Sequence, residues 1–239
     1  MGYKLIFEDR FNKRDVDLNT WTFETGGHGF GNKESQYYTP YPHNVVLSNG
    51  RLTIIGRKED YEKNHYTSAK ITSYPNRLFT YGKLEVEAIL PKGKGTWPAI
   101  WLLGQNFKEG TPWPLCGEID LMEHVGSNPN HIHFSLHSKA RHFTQGNQLT
   151  HVEVIDDVYE KPHVYGMIWK ENHITFLLDG KEVASFQKQE GETEIEWPFN
   201  QAFYLIFNTA LGGSWGGPID DSILPTHMHI HRVSYYQES

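Results

Sequence analysis

The sequence predicts an all-β protein whose strands form two packed sheets. Short runs that alternate apolar and polar residues recur between turn residues along the chain. No stretch of a dozen residues shows the 3.6-residue period of an amphipathic helix. We expect roughly a dozen short strands, which is more than a single small sheet usually holds, so they should form two sheets around one core.

The clearest strand runs from Lys83 to Leu90, where apolar residues at every second position alternate with charged ones. Two hairpins are predicted at Asn49-Gly50 and Asp179-Gly180, because both dipeptides accept the positive φ of a tight turn. Further strands are expected at Tyr3–Phe7, Val45–Ser48, Arg51–Gly56, Ser68–Ser73, Pro98–Leu103, Gly117–Glu123, Ile132–His137, His163–Trp169, Ile174–Leu178, Lys181–Phe186, Phe203–Ala210 and His227–Tyr236.

Composition favours one domain that covers residues 1–239 and is not bound to nucleic acid or membrane. The charged fraction is 21% and the hydrophobic fraction 38%, as in ordinary globular domains. The formal net charge is −7 without a basic cluster, which disfavours a phosphate-rich partner. The longest apolar run, Ala99 to Leu103, is too short to cross a bilayer. Cys116 is the only cysteine, so no internal disulfide can form.

The segment Gly117 to His124 carries three acids, Glu118, Asp120 and Glu123, in an otherwise apolar stretch. Burying charge is costly, so the pattern indicates a function; the alternative is an edge strand with solvent-facing acids. On a regular strand Glu118 and Asp120 share a face and Glu123 points away. A β-bulge near Leu121-Met122 would return Glu123 to their side, and we predict one there.

Three acids on one face form a coupled set, in which an ionised carboxylate raises the proton affinity of its neighbour. Retaining glycoside hydrolysis uses this division: an ionised carboxylate attacks and a protonated one, about 5 to 5.5 Å away, protonates the leaving oxygen. Four strand steps span about 13 Å on a straight strand. We therefore expect a curved sheet that brings the two side chains together.

The sequence resembles glycoside hydrolase family sixteen, in particular its laminarinase-like endo-β-1,3-glucanases. The family motif E-[IL]-D-x-x-E is present at Glu118–Glu123 in the version with the additional methionine, and the resemblance covers nearly the whole chain. Similar segments lie at Trp21–Asn32, Gly95–Trp101 and Asn208–Trp215. The resemblance implies a β-jelly-roll sandwich of two curved antiparallel sheets with a concave cleft. It also implies endo-hydrolysis, with retention, of internal β-1,3-glucosidic bonds in laminarin-type glucans.

Carried over by resemblance, Glu118 is the nucleophile, Asp120 an assisting carboxylate and Glu123 the general acid/base. Trp21, Trp169 and Trp197 are expected in the core. For each tryptophan expected in the cleft, packing in the core is the alternative. Lys70 lies where relatives often carry arginine. The expected substrate contacts are Asn44, Trp97, Trp101, Trp113, His137, Asn208 and Trp215.

No cofactor or catalytic metal is expected. Many relatives hold a structural calcium through backbone carbonyls near the chain start and an Asp in the final strand. Here His231 stands at the position of that Asp, and calcium prefers anionic oxygen, so a structural calcium stays open but is disfavoured. His227, His229 and His231 alternate onto one face with a spacing that suits zinc or copper. Scattered surface histidines are the favoured alternative, since no supporting carboxylate lies nearby in the sequence.

Three rival functions stay open. The fold could serve a non-catalytic glucan-binding lectin, or the same mechanism could act on mixed-linkage β-1,3/1,4-glucan or another polysaccharide. His131, His133 and His137 suggest a metal-dependent cupin-like enzyme, but the usual glutamate of that motif is missing. We expect a monomer that acts on a β-glucan polysaccharide. We also expect secretion, because such substrates are too large to enter cells, although the chain reaches a strand at Tyr3 without a leader-like segment.

Overall fold

A computed structural model describes residues 2–239 as two packed β-sheets, a β-jelly-roll sandwich. Seventeen strands lie within this part of the chain. The first nine are β1 (Tyr3–Asp9), β2 (Thr22–Phe23), β3 (Gln36–Tyr38), β4 (Val45–Ser48), β5 (Arg51–Tyr61), β6 (Asn64–Ser68), β7 (Lys70–Thr72), β8 (Gly82–Ile89) and β9 (Thr96–Gly104). The others are β10 (Glu118–Glu123), β11 (His131–His137), β12 (Leu149–Val154), β13 (His163–Lys170), β14 (His173–Leu178), β15 (Lys181–Gln187), β16 (Phe203–Leu211) and β17 (Thr226–Glu238).

The smaller sheet has seven strands in the order β12-β11-β10-β9-β16-β7-β2, so β10 lies in its interior. The larger sheet follows the order β15-β14-β13-β8-β17-β5-β6-β3, with β1 added beside β17 and β4 beside β5. Every pair is antiparallel except β3 with β6, which is parallel. The acidic segment therefore lies on a central strand, which excludes the edge-strand alternative.

Helical structure is limited to short segments between strands. The sequence shows no helical period, yet one α-helical turn, α1 (Gly213–Gly216), carries Trp215. Short 3-10 segments lie at Gly29–Gly31, Gln105–Glu109, Phe143–Gln145 and Asp221–Ile223. All five segments lie in loops that follow a strand of the smaller sheet.

The predicted all-β class and both hairpins are confirmed. Asn49 and Gly50 have φ of 52° and 66°, and Asp179 and Gly180 have φ of 50° and 77°, as the turn chemistry requires. The predicted strand Ser68–Ser73 is wrong as a single element: β6 ends at Ser68 in the larger sheet, and β7 begins at Lys70 in the smaller one. Strand β12 was not predicted. None of its residues is fully buried, since the residues alternate between intermediate and exposed, so it lacks the strong apolar face of the predicted strands.

The core fills the space between the two sheets. Trp21, Trp169 and Trp197 are each 1% exposed, which confirms their predicted place in the core. The alternating residues of β8 (Leu84, Val86 and Ala88) point into the same core. Between residues 2 and 239, none of the helices has the length and apolar character needed to span a membrane.

Candidate active site

Strand β10 contains the predicted bulge. Against β9, Asp120 pairs with Trp101 and Met122 with Ile100, so Leu121 is the extra residue. Both Leu121 and Met122 are fully buried in the core. Two consecutive residues on the inner face are what a β-bulge produces, and the next residue, Glu123, returns to the outer face.

The outer face of β10 therefore carries Glu118, Asp120 and Glu123 in one row. On the neighbouring strand β11, these acids pair with His137, Ser135 and His133 respectively. The strand begins directly after Gly117, which has φ of 79° and whose Cβ, if present, would lie 2.9 Å from Pro198. A side chain at Gly117 would displace the start of the acidic row.

His137 connects the first two acids. Its Nε2 lies 3.1 Å from Asp120 Oδ2 and 3.7 Å from Glu118 Oε1. His137 is 4% exposed, so these charges interact in a region where water screens little. The imidazole of His137 favours the ionised form of Glu118, which opposes the effect of the neighbouring Asp120.

All three carboxyl groups have raised pKa values. Burial raises the pKa of Glu118 and Asp120 well above the ordinary range, and for Glu118 the neighbouring Asp120 adds to this while His137 opposes it. Burial, followed by the charge of Asp120, raises the pKa of Glu123 to about 8. Trp97 Nε1 donates a hydrogen bond of 3.2 Å to Glu123 Oε1. A carboxyl group with this pKa can hold a proton at neutral pH and still release it.

The pKa of Glu123 predicts the basic limb of the pH profile. A group that must be protonated to act as an acid loses function as pH rises through its pKa, so kcat/KM should fall above pH of about 8. The measurement is kcat/KM against pH for hydrolysis of a β-glucan. The same limb should be absent when Glu123→Ala acts on a substrate whose leaving group needs no proton, and its persistence there would contradict the assignment.

A cavity of about 540 Å³ opens over the outer face of the smaller sheet. Trp101, Trp113, Asn208 and Glu118 line it, as the sequence predicted for a cleft. Trp97 and Trp215 lie further along, beside Glu123: their rings are 5.5 Å apart at 84°, and Trp215 is 36% exposed. The acids thus lie along a groove with aromatic walls, a surface that suits the apolar faces of sugar rings.

Other residues of the cavity were missed by sequence reasoning. Lys70, expected only as a replacement for arginine, is 8% exposed and pairs with Glu24 at 2.8 Å; Lys108 contacts the same carboxylate at 2.8 Å. Burial opposes ionisation of Glu24, but the two ammonium groups outweigh it and lower its pKa to about 2. Phe143 is 49% exposed. The sequence signal that could have identified it is an aromatic residue within a polar loop. The remaining missed residues are Thr25, His28, Phe30, Gly31, Asn32, Glu34, Tyr38, Leu103, Phe107, Thr144 and Tyr204.

The expectation that Asn44 contacts substrate is wrong, because its side chain is fully buried away from the cavity. Its Oδ1 accepts a bond of 2.5 Å from Thr39 Oγ1. Its Nδ2 donates to the Ile55 carbonyl at 2.9 Å and to Thr67 Oγ1 at 3.0 Å. These partners satisfy the amide, so Asn44 holds the chain before β4 against β5 and β6.

Replacing Asn44 by alanine should therefore affect stability rather than substrate binding. Because buried polar partners lose their bonds, we expect the free energy of unfolding to fall by about 1 to 3 kcal/mol. The measurement is denaturant unfolding together with KM. Ser68→Ala is the matched control, since the buried Ser68 Oγ has no protein partner to lose. A raised KM at unchanged stability would show that Asn44 does contact the substrate.

In the described part of the chain, the ring nitrogens of the three β17 histidines do not come together within 4.8 Å of one another. His227 and His229 stack 6.0 Å apart, and His229 Nδ1 lies 3.0 Å from Thr53 Oγ1. Within residues 2–239, the one group of potential metal ligands whose atoms lie within 4.8 Å of one another is Glu118, Asp120 and His137. That group belongs to the acidic row.

The side chains around His231 offer one carboxylate as a ligand for calcium. His231 borders a cavity of about 420 Å³ together with Arg10, Arg232 and Glu87. Arg232 lies 3.4 Å from Glu87 and already pairs with that carboxylate. The two guanidinium groups would repel a divalent cation, and the imidazole supplies none of the oxygen ligands that calcium prefers.

A buried acidic row in an aromatic groove, on one face of a β-sandwich, defines a carboxylate-dependent glycoside hydrolase. Residues 32–223 match the sequence profile described as Glycosyl hydrolases family 16. The chain belongs to this family.

Several known proteins are similar to this chain over nearly its full length. It is 37% identical over 244 residues to a "Beta-glucanase" of Rhodothermus marinus, covering 98% of this chain and 85% of that protein. It is 30% identical to "Glucan endo-1,3-beta-glucosidase A1" of Niallia circulans, covering 99% of this chain but 38% of that longer protein. Among solved structures, a laminarinase from Flavobacterium sp. UMI-01 superposes with a TM-score of 0.90 at 40% identity, covering 98% of this chain and all of the other.

Proposed function

We propose that this protein is a retaining endo-β-1,3-glucanase that hydrolyses internal bonds of laminarin-type glucans. The observation that carries the proposal is the bulge in β10, which places Glu118, Asp120 and Glu123 on one face of a groove lined by tryptophans. The names of the relatives support the substrate: one is a laminarinase and one a glucan endo-1,3-beta-glucosidase. A groove along the sheet also suits binding in the middle of a polymer.

In the first step, a Glu118 oxygen attacks the anomeric carbon while the glycosidic C–O bond breaks. Glu123 gives its proton to the leaving oxygen in the same step. In the second step, the Glu123 carboxylate takes a proton from water, the water oxygen attacks the same carbon, and the bond to Glu118 breaks. Two displacements restore the β configuration, and Glu123 ends protonated as it began.

The roles of the two glutamates follow from their order in the motif and from their surroundings. The pKa of Glu123, which is raised to about 8, supports its role as the proton donor. Glu118 comes first in the motif, and His137 and the Trp113 indole favour its ionised form against the rise in pKa that burial and Asp120 cause. Asp120 stands between them and contacts His137 at 3.1 Å, so it orients and tunes both.

The test is hydrolysis of a panel of polysaccharides with the product anomers followed by NMR. Laminarin should be cleaved first to a mixture of oligosaccharides, and the newly formed reducing ends should appear in the β form before mutarotation. Initial α product would contradict Glu118 as nucleophile. No hydrolysis of any β-glucan, together with retained binding, would favour a glucan-binding lectin.

Mixed-linkage β-1,3/1,4-glucan is the second candidate substrate. The "Beta-glucanase" of Rhodothermus marinus carries a name without a stated linkage, and the acidic row specifies bond cleavage rather than linkage. Comparing kcat/KM for laminarin and for barley-type mixed-linkage glucan separates the two. A larger value for the mixed-linkage polymer would replace β-1,3-glucan as the principal substrate.

We further propose that residues 1–239 form one catalytic domain, active as a monomer outside the cell and without a cofactor. Two carboxylates supply all the acid-base and nucleophilic chemistry of the reaction, so a metal has no required step. We expect full activity after exhaustive chelation. That result would support a reaction without a metal and would count against a cupin-like mechanism through His131, His133 and His137. Size-exclusion chromatography with light scattering tests the monomer, and activity in culture medium against cell lysate tests secretion.

A further inference from the structure

Four side chains that line the cavity form a continuous hydrogen-bonded relay, which begins at Trp101 and ends at the carboxylate of Glu34. Trp101 Nε1 donates to Asn208 Oδ1 at 2.7 Å, and Asn208 Nδ2 donates to the Tyr38 hydroxyl at 3.1 Å. The Tyr38 hydroxyl donates to Glu34 Oε2 at 3.0 Å. Asn208 is 7% exposed and Tyr38 1%, so little water competes for these bonds.

The relay has only one direction. An indole N–H can donate but cannot accept, so the oxygen of the Asn208 amide must face Trp101 and its NH₂ must face Tyr38. The Tyr38 oxygen then receives a hydrogen, so its own proton points to Glu34. A chain that starts at a donor-only group needs an acceptor at its far end, and an ionised carboxylate provides it.

The far end is itself held in place. Gln36 Nε2 donates to the same Glu34 oxygen at 2.7 Å, and Gln36 Oε1 accepts from the Leu211 backbone N–H at 2.7 Å. Glu34 also forms an isolated backbone bridge with Gly212, just beyond the strand that carries Asn208. These contacts hold the Glu34 end of the relay against the end of β16, the strand that also carries Asn208.

Lys70 restrains the ring of Trp101 from another side. Its ammonium lies 5.1 Å from the Trp101 ring centroid and 4.8 Å from that of Phe30. A cation–π contact does not depend on where the indole N–H points, whereas the hydrogen bond to Asn208 sets the direction of the N–H. The orientation of Trp101 thus depends on the relay.

We propose that Glu34 is a positioning residue, which acts through Tyr38 and Asn208 to hold Trp101 in the orientation that binds a glucosyl ring. The inference rests on the proposed function for its glucan substrate, but its geometry does not depend on that substrate. Burial raises the pKa of Glu34, and the hydrogen bonds from Gln36 and Tyr38, with the charge of Lys70, counter this. Glu34 does not touch the reacting atoms in this scheme.

The test combines Tyr38→Phe, Glu34→Ala and Glu34→Gln. The Trp101 indole N–H is observed by NMR in ¹⁵N-labelled protein and is assigned by its absence in Trp101→Phe. In Tyr38→Phe and Glu34→Ala its resonance should shift and its hydrogen exchange should accelerate. KM for laminarin should rise about three- to tenfold at nearly unchanged kcat, the scale of one lost hydrogen bond. Glu34→Gln keeps an acceptor oxygen and should restore both readouts toward wild type.

Tyr165→Phe is the matched control, because the Tyr165 hydroxyl is buried without a protein partner and lies in the core. It should leave the Trp101 signal and KM unchanged. Lower thermal stability in Tyr38→Phe and Glu34→Ala with an unaltered Trp101 resonance would overturn the proposal and leave a structural role only. If the wild type cleaved no β-glucan, the proposed function would fail, while the indole resonance would still decide whether the relay exists.

Discussion

Replacing Glu118 by alanine is expected to reduce hydrolysis of laminarin by about 10⁴-fold or more, because no other group can form the glycosyl intermediate. The space left by the side chain admits a small anion. With a dinitrophenyl β-glucoside oligomer as substrate, added azide should restore turnover. It should yield the α-glycosyl azide, because one displacement at the anomeric carbon inverts its configuration.

The identity of the azide product decides the role of Glu118. A β-glycosyl azide from Glu118→Ala would mean that a different residue forms the intermediate, and Asp120 would then be the first candidate. Glu153→Ala is the matched control, since Glu153 lies on the edge strand β12 of the same sheet and pairs with His151. It should keep wild-type rates and give no azide product above that of wild type.

Replacing Glu123 by alanine should reduce laminarin hydrolysis by about 10² to 10⁴-fold, the usual contribution of a positioned acid or base. The loss should depend on the leaving group. A dinitrophenolate leaves without a proton, so the first step should stay fast and the glycosyl-enzyme should accumulate as a burst of released phenol. Azide should then attack the intermediate and give the β-glycosyl azide, because two displacements retain the configuration.

The two variants thus give opposite azide anomers if the roles are right. Equal losses in Glu123→Ala for laminarin and for the dinitrophenyl substrate would contradict proton donation by Glu123. Trp97→Phe adds a further check, because Trp97 donates a hydrogen bond to Glu123 that favours its ionised form. Losing that bond should move the basic limb of the pH profile upward.

Much of the fold was predictable because local chemistry dictated it. The turn residues Asn49-Gly50 and Asp179-Gly180 specify hairpins by their backbone preferences alone, and the alternation in β8 identifies its buried face. Strands β6 and β7 were merged in the prediction, because the apolar pattern continues from Ser68 to Ser73 while the chain passes from one sheet to the other at Ala69. Nothing local in the sequence marks that passage.

The acidic row was predictable for a different reason. Three acids in an apolar stretch make sense on one face only if a bulge lies between Asp120 and Glu123, and the register shows it there. Asn44 was misplaced, because a polar residue carried over by family resemblance looks the same in the sequence whether it binds sugar or satisfies buried neighbours. Only the packing around it distinguishes the two.

The sequence by itself determined most of the strands, the two hairpin turns and the residues of the acidic row, since these depend on neighbours within a few positions along the chain. The tertiary structure alone decided which distant side chains meet. It brought His137 to the carboxylates, Lys70 and Lys108 to Glu24, and Glu34 to the end of the relay that starts at Trp101. Such contacts join residues that lie far apart in the chain. The distances between these side chains and the shifts in their pKa values therefore follow from sheet order and burial.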